Sequence, residues 1–87
     1  MGRWKETVNV FMQRKLREVK DYDDFKHFLK SVRENDFELH SKRSGRRVFG
    51  FNESYNPEYC DYAIDDGVSV GHCKWENLYR VIYVEEI

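Results

Sequence analysis

Phe37-Glu38-Leu39-His40-Ser41-Lys42-Arg43-Ser44-Gly45-Arg46-Arg47-Val48-Phe49-Gly50-Phe51 is apolar at both ends and basic in the middle. Phe37, Leu39 and Ser41 alternate with Glu38, His40 and Lys42, the period of two of a half-buried strand. Arg47, Phe49 and Phe51 alternate in the same way with Arg46, Val48 and Gly50. The stretch reads as a hairpin, and two registers compete. A two-residue Ser44-Gly45 loop pairs Arg43 with Arg46 and sets Leu39 against Gly50. A three-residue Arg43-Ser44-Gly45 loop pairs Lys42 with Arg46, Leu39 with Phe49 and Phe37 with Phe51. The second gathers the bulky apolar side chains on one face, and a one-residue slip would expose half of them. It also puts Gly45 where such a loop wants a left-handed residue. The expectation is the three-residue loop.

The tip of this hairpin carries Lys42, Arg43, Arg46 and Arg47 within six residues. Clustered cations at a loop suit a finger that reaches a nucleic-acid backbone. The competing reading is a solvated turn whose charges keep the strands from pairing at their edges. Arg14, Arg17 and Lys20 form a second basic group that would back the tip.

Before the hairpin, residues 3–35 hold neither Gly nor Pro. They read as two helices. Trp4, Val8, Phe11, Met12, Leu16 and Val19 give the first a buried stripe at i, i+3, i+4 spacing, with Lys15 snorkelling beside it. Asp21 is a natural cap for the second helix, and Asp23 and Asp24 suit its positive end. Phe25, Phe28, Leu29 and Val32 form its apolar face, and Asn35-Asp36 ends it. His27 is expected on the surface.

After the hairpin, residues 52–58 contain the only proline, Pro57, and read as a loop. Residues 59–64 and 68–73 then form a second hairpin. A three-residue loop pairs Ile64 with Val68, Tyr62 with Val70 and Cys60 with His72. An Asp66-Gly67 turn would instead set Cys60 opposite Cys73. Apolar matching favours the first. Residues 78–85 are rich in β-branched and aromatic side chains and are expected as a strand, although Trp75, Leu78, Tyr79 and Ile82 also fit a helix face. The fold class expected is α+β: one domain over residues 1–87, with two N-terminal helices packed on an antiparallel sheet of four to five strands built from two hairpins.

Eighty-seven residues are enough for one thin core. Six Phe, six Tyr and two Trp supply much of it, which argues against disorder. No apolar run reaches membrane-spanning length and the N-terminus lacks an apolar signal core, so a cytoplasmic protein with no membrane partner is expected. Two cysteines do not make a disulfide framework. Residues 1–50 carry 13 Lys/Arg and 8 Asp/Glu (+5), and residues 51–87 carry 2 and 8 (−6), which together give the formal −1. Such a split suggests a dipolar particle, either side of which could dock a partner.

Chemistry-bearing constellations are sparse. Cys60, His72, Cys73 and His40 are candidate zinc ligands, but His72 and Cys73 are adjacent on a strand and point to opposite faces, and no Cys-x-x-Cys or His-x-x-x-His pair is present. No nucleophile elbow, cysteine-protease pattern or phosphate-binding glycine loop is found. His40 beside the basic tip is the one candidate base for phosphodiester cleavage. No cofactor and no metal are expected. The acidic half interleaves Tyr59, Asp61, Tyr62, Asp65 and Asp66, and tyrosines among acids make good protein-binding surface.

The run from Phe25 through Leu39, the basic turn, and Val48-Phe49-Gly50-Phe51 resemble small toxins of the HicA type, which have a helix, then a hairpin. That resemblance implies RNA cleavage by a histidine in a Gly-Ser-His motif. Here the matching region reads Ser44-Gly45-Arg46, without the histidine, so the activity is not carried over. In its small size, charge and aromatic content the chain is also similar to phage-encoded inhibitors, anti-CRISPR proteins among them. The expectation is a small non-enzymatic binding module that docks on a protein or nucleoprotein, in the manner of a phage-type inhibitor or adaptor. The alternatives are a nucleic-acid-binding protein using the 42–47 tip, and a small ribonuclease-type toxin. A homodimer through an open sheet edge is a further alternative.

Overall fold

The computed structural model describes residues 2–64 and 70–87, with side chains described for residues 7–63 and 70–87. Helix α1 (Gly2–Glu18) and helix α2 (Tyr22–Glu34) are followed by strands β1 (Phe37–Ser41), β2 (Val48–Glu53), β3 (Tyr59–Ile64) and β4 (Val70–Lys74). A 3₁₀ turn (Trp75–Asn77), the single helical turn α3 (Leu78–Val81) and strand β5 (Ile82–Glu86) complete the order. The class is α+β, helices first and antiparallel strands after. Its five strands divide between two sheets, β1-β5 and β2-β3-β4.

Local signals set the helix ends. Asp21 caps α2, its side chain accepting from the Asp24 amide at 2.8 Å. At the other end the Asn35 amide donates to Ser31 O, and Asp36 takes a left-handed φ of 61°. Met12, Leu16 and Val19 of α1 are buried, as are Phe25, Phe28 and Val32 of α2. Phe11, expected in the stripe, is 47% exposed. At 3.6 residues per turn it lies roughly 60° outside the arc of Val8, Met12, Leu16 and Val19. It lines a groove against Phe28, with the Lys15 ammonium 5.4 Å from its ring centre. Trp4 lies outside the described side chains.

The central hairpin is not the expected one. Leu39 stands opposite Val84 of β5, not Phe49, and Phe37 stands opposite Glu86, not Phe51. A single bridge, His40 to Arg47, joins β1 to β2. The loop has four residues, closed by Ser41 N–H to Arg46 O and Gly45 N–H to Ser41 O, both at 2.8 Å. Gly45 does adopt the left-handed conformation, with φ 74°. Leu39 gains more from β5: it, Ile82 and Val84 are at most 1% exposed, each such burial being worth about 1.5–3 kcal/mol. Phe51 turns instead onto Phe25, with ring centres 4.1 Å apart. An irregularity in the β2–β3 register between Val48 and Gly50 leaves Phe49 46% exposed.

The second hairpin takes the other of its two registers. Cys60 stands opposite Cys73, Asp61 opposite His72 and Tyr62 opposite Gly71. Close packing of the Tyr62 ring over Gly71 outweighs the apolar matching of Tyr62 with Val70. The expected pairing of Ile64 with Val68 lies outside the described residues. The C-terminal segment also departs from expectation: residues 78–81 form a helical turn, and the strand begins at Ile82. Leu78 and Trp75 are thereby fully buried, Trp75 against Phe25 and Tyr22 with ring centres 5.4 and 6.1 Å away.

Helix α1 packs on β5 and α3, and α2 on β1. Gln13 of α1 tethers β5: its Nε2 donates to Val84 O at 2.8 Å, and Val84 N–H points to its Oε1 at 3.4 Å. Among the described residues no helix is long and apolar enough to cross a membrane.

Candidate nucleic-acid interface

The loop after β1 is held from below by its own backbone. The buried Ser41 hydroxyl accepts from the Arg43 and Ser44 amides at 3.3 and 3.4 Å. Lys42 N–H donates to Val81 O at 2.9 Å, fastening the loop to the end of α3. His40 Nδ1 lies 2.7 Å from Gly45 O and donates to it, while Nε2 lies 3.0 Å from Glu38 Oε1. With backbone donors turned inward, the Lys42 and Arg43 side chains are left exposed.

Because β1 leaves β2 after one bridge, the two sheets open into a cleft of about 930 Å³. Lys42, Arg43 and Ser44 form one wall, Arg80 and Val81 of α3 the floor, and Tyr62, Val70, Gly71 and His72 the other wall. Three cations from two segments thus share one concavity. A fourth joins them at its margin around Tyr79. The Arg17 guanidinium lies 4.9 Å from the Tyr79 ring centre, and Arg80 Nε–H donates to Tyr79 Oη at 3.1 Å. The Tyr79 phenol is held below its usual pKa by that hydrogen bond and the Arg80 charge, with Arg17 and Lys42 adding to it. Arg80, Arg17 and Lys42 therefore act on one point, with Arg43 following Lys42 on the cleft wall, an arrangement suited to an anion with several oxygens.

The expected basic residues are divided. Lys42 and Arg43 line the cleft, and Arg17 lies beside it on the Tyr79 ring, in the same depression as Lys20. Lys20 sits beside Glu58, Glu76 and Lys74, and Arg14 lies beside Phe11 in a shallow depression with Thr7 and Val10. Arg46 and Arg47 follow the loop, exposed but outside the cleft lining. Arg80 was not among the expected residues. In a strand over 78–85 nothing linked it to Lys42, and only the helical turn brings it there.

The tyrosine and acid surface is also divided. Tyr59 and Asp61 share the outer face of β3, whereas Tyr62 points to the inner face against Phe51, with ring centres 6.3 Å apart. Asp61 accepts from His72 Nδ1, and the His72 ring stacks on Tyr59 at 4.9 Å and 5°. Asp65 and Asp66 lie outside the described residues. His72 therefore faces away from Cys60 and Cys73. Both ring nitrogens of His40 are occupied. Burial disfavours its charge, but the Gly45 carbonyl and the carboxylates of Glu38 and Glu85 outweigh that and raise its pKa above the ordinary value. When protonated, the His40 imidazolium donates at both nitrogens and pins the loop between Gly45 and Glu38.

The chain matches no protein-family model, no curated protein and no solved structure.

Proposed function

We infer that this is a small non-enzymatic binding module that docks on the phosphate backbone of a nucleic acid, or of the nucleic acid in a nucleoprotein, acting as an inhibitor or adaptor. The observation that supports it is the convergence of Lys42, Arg43 and Arg80 on one open cleft, beside the hydroxyls of Ser44 and Tyr62, with Arg17 next to it on the Tyr79 ring. The cations come from different elements and are held by a fastened loop, so the site is largely formed before a ligand arrives. Guanidinium groups recognise phosphate oxygens in pairs. Contacts to backbone phosphates give affinity without sequence preference.

Fluorescence anisotropy with labelled single- and double-stranded DNA and RNA tests this reading. Four phosphate contacts predict a roughly 100-fold loss of affinity between about 50 and 200 mM salt. Lys42→Ala, Arg43→Ala and Arg80→Ala should each reduce the salt slope by about one, and Arg14→Ala should not. Absence of binding at low salt, or equal slopes for all variants, would reject the cleft and redirect the search to a protein partner on the Tyr59 and His72 face.

A further inference from the structure

Cys60 and Cys73 are directly opposed across β3 and β4, and their Sγ atoms are 4.0 Å apart. Both thiols are free. A disulfide needs Sγ atoms at about 2.05 Å and Cα atoms within about 7 Å. Opposed residues of an antiparallel pair have Cα atoms about 4.5–5.5 Å apart. Side-chain rotation is therefore enough to join the two, without moving a strand.

The two sulfurs are unequal. Cys60 is fully buried in the core and Cys73 is half-buried. The two thiols share one hydrogen bond; this bond and burial push the Cys60 pKa up. The same bond lowers that of Cys73, against the effect of its own burial and with help from His72. The accessible sulfur is thus also the one that ionises first, and the buried one stands behind it.

We propose that Cys60 and Cys73 form a thiol-modification site, a paired dithiol that exchanges with a low-molecular-weight disulfide of the glutathione type to give a cross-strand disulfide. In the first step the Cys73 thiolate attacks one sulfur of the external disulfide. A bond forms from Cys73 Sγ to that half, the external S–S bond breaks, and the other half leaves as a thiolate that takes up a proton. In the second step Cys60 loses its proton to water and attacks Cys73 Sγ. The Cys60–Cys73 bond forms, and the second half leaves and is protonated. The protein is oxidised by two electrons, the external disulfide is reduced by two, and two small thiols are released. The new bond staples β3 to β4 beside the cleft wall of Tyr62, Gly71 and His72.

The test is incubation of the intact chain in reduced and oxidised glutathione mixtures, followed by acid quench, alkylation and intact-mass measurement. The wild type should lose two hydrogens and both alkylation sites, at a lower proportion of oxidised glutathione when folded than in guanidinium chloride. Cys60→Ser should stop at a glutathione adduct on Cys73. Cys73→Ser should form its adduct about tenfold more slowly, because its remaining thiol is buried. A wild type that keeps both alkylation sites in excess oxidised glutathione would overturn the proposal. So would a folded chain that oxidises no more readily than the denatured one. The result is independent of nucleic-acid binding.

Discussion

The ring of Tyr62 occupies the space that a side chain at position 71 would need: a Cβ there would overlap its Cζ, Cε1 and Oη atoms. The two residues are opposed across β3 and β4, so the glycine is what lets the phenol lie flat along the cleft wall. Gly71→Ala should destabilise the fold by about 1–3 kcal/mol in chemical denaturation, as overpacking does. In a Tyr62→Ala background the same change should cost at least about 1 kcal/mol less. Additive losses would show that the two do not compete for that space.

Gln13 acts as a short piece of backbone for β5, offering its amide to Val84. Gln13→Ala leaves a strand carbonyl and amide without their side-chain partner and should cost about 1–3 kcal/mol. Gln13→Glu should cost more above the carboxylate pKa, because an ionised carboxylate cannot donate to Val84 O. Hydrogen exchange at the Val84 amide should accelerate in both variants.

Trp75 is 1% exposed, and its indole Nε1 finds no acceptor among the described residues. Trp75→Phe removes an unsatisfied donor along with some volume, so its cost should be near 1 kcal/mol. Trp75→Ala leaves the cavity and should cost about 3–5 kcal/mol. Equal losses in thermal denaturation would mean that the indole hydrogen is satisfied after all.

His40 makes stability depend on pH. Glu38 and Glu85 stand directly opposite one another across β1 and β5, a like-charge pair that destabilises a sheet, and the His40 imidazolium offsets it. The folded pKa of His40 is raised. Its contribution is therefore fully present below about pH 6.5, the unperturbed imidazole value, and is lost as pH rises through the higher folded value. Denaturation curves of the wild type and His40→Ala, measured across that window, should converge at the alkaline end and separate toward acid. Parallel curves would mean that His40 titrates as in the unfolded chain.

Features written in neighbouring residues were legible in the sequence. Asp21 and Asn35-Asp36 announced the ends of α2 through groups they can bond within one turn. The alternation of Phe37, Leu39 and Ser41 marked a strand with its buried face. What alternation does not carry is the partner. Phe49 and Val84 are both apolar and both in phase with Leu39, and only the packing of β5 under α1 decides between them. The basic cleft was half legible for the same reason. Lys42 and Arg43 are adjacent in the chain, whereas Arg80 arrives through a helical turn among residues that favour strands. Cys60 and Cys73 were set opposite one another in the less favoured register, because a glycine beneath a tyrosine has no hydropathy signature.

The exchange of partners by β1 has a consequence for biosynthesis. Strand β1 is complete at Ser41, but its partner ends at Glu86. A nascent chain that has emerged only as far as α3 presents Leu39 with no strand to cover it, and β2 is the nearest substitute. The local hairpin read from residues 37–51 is the nearest strand pairing open to β1 until β5 emerges, and it must then give way. Its four cations, repelling one another across the turn, keep that early pairing weak enough to be exchanged.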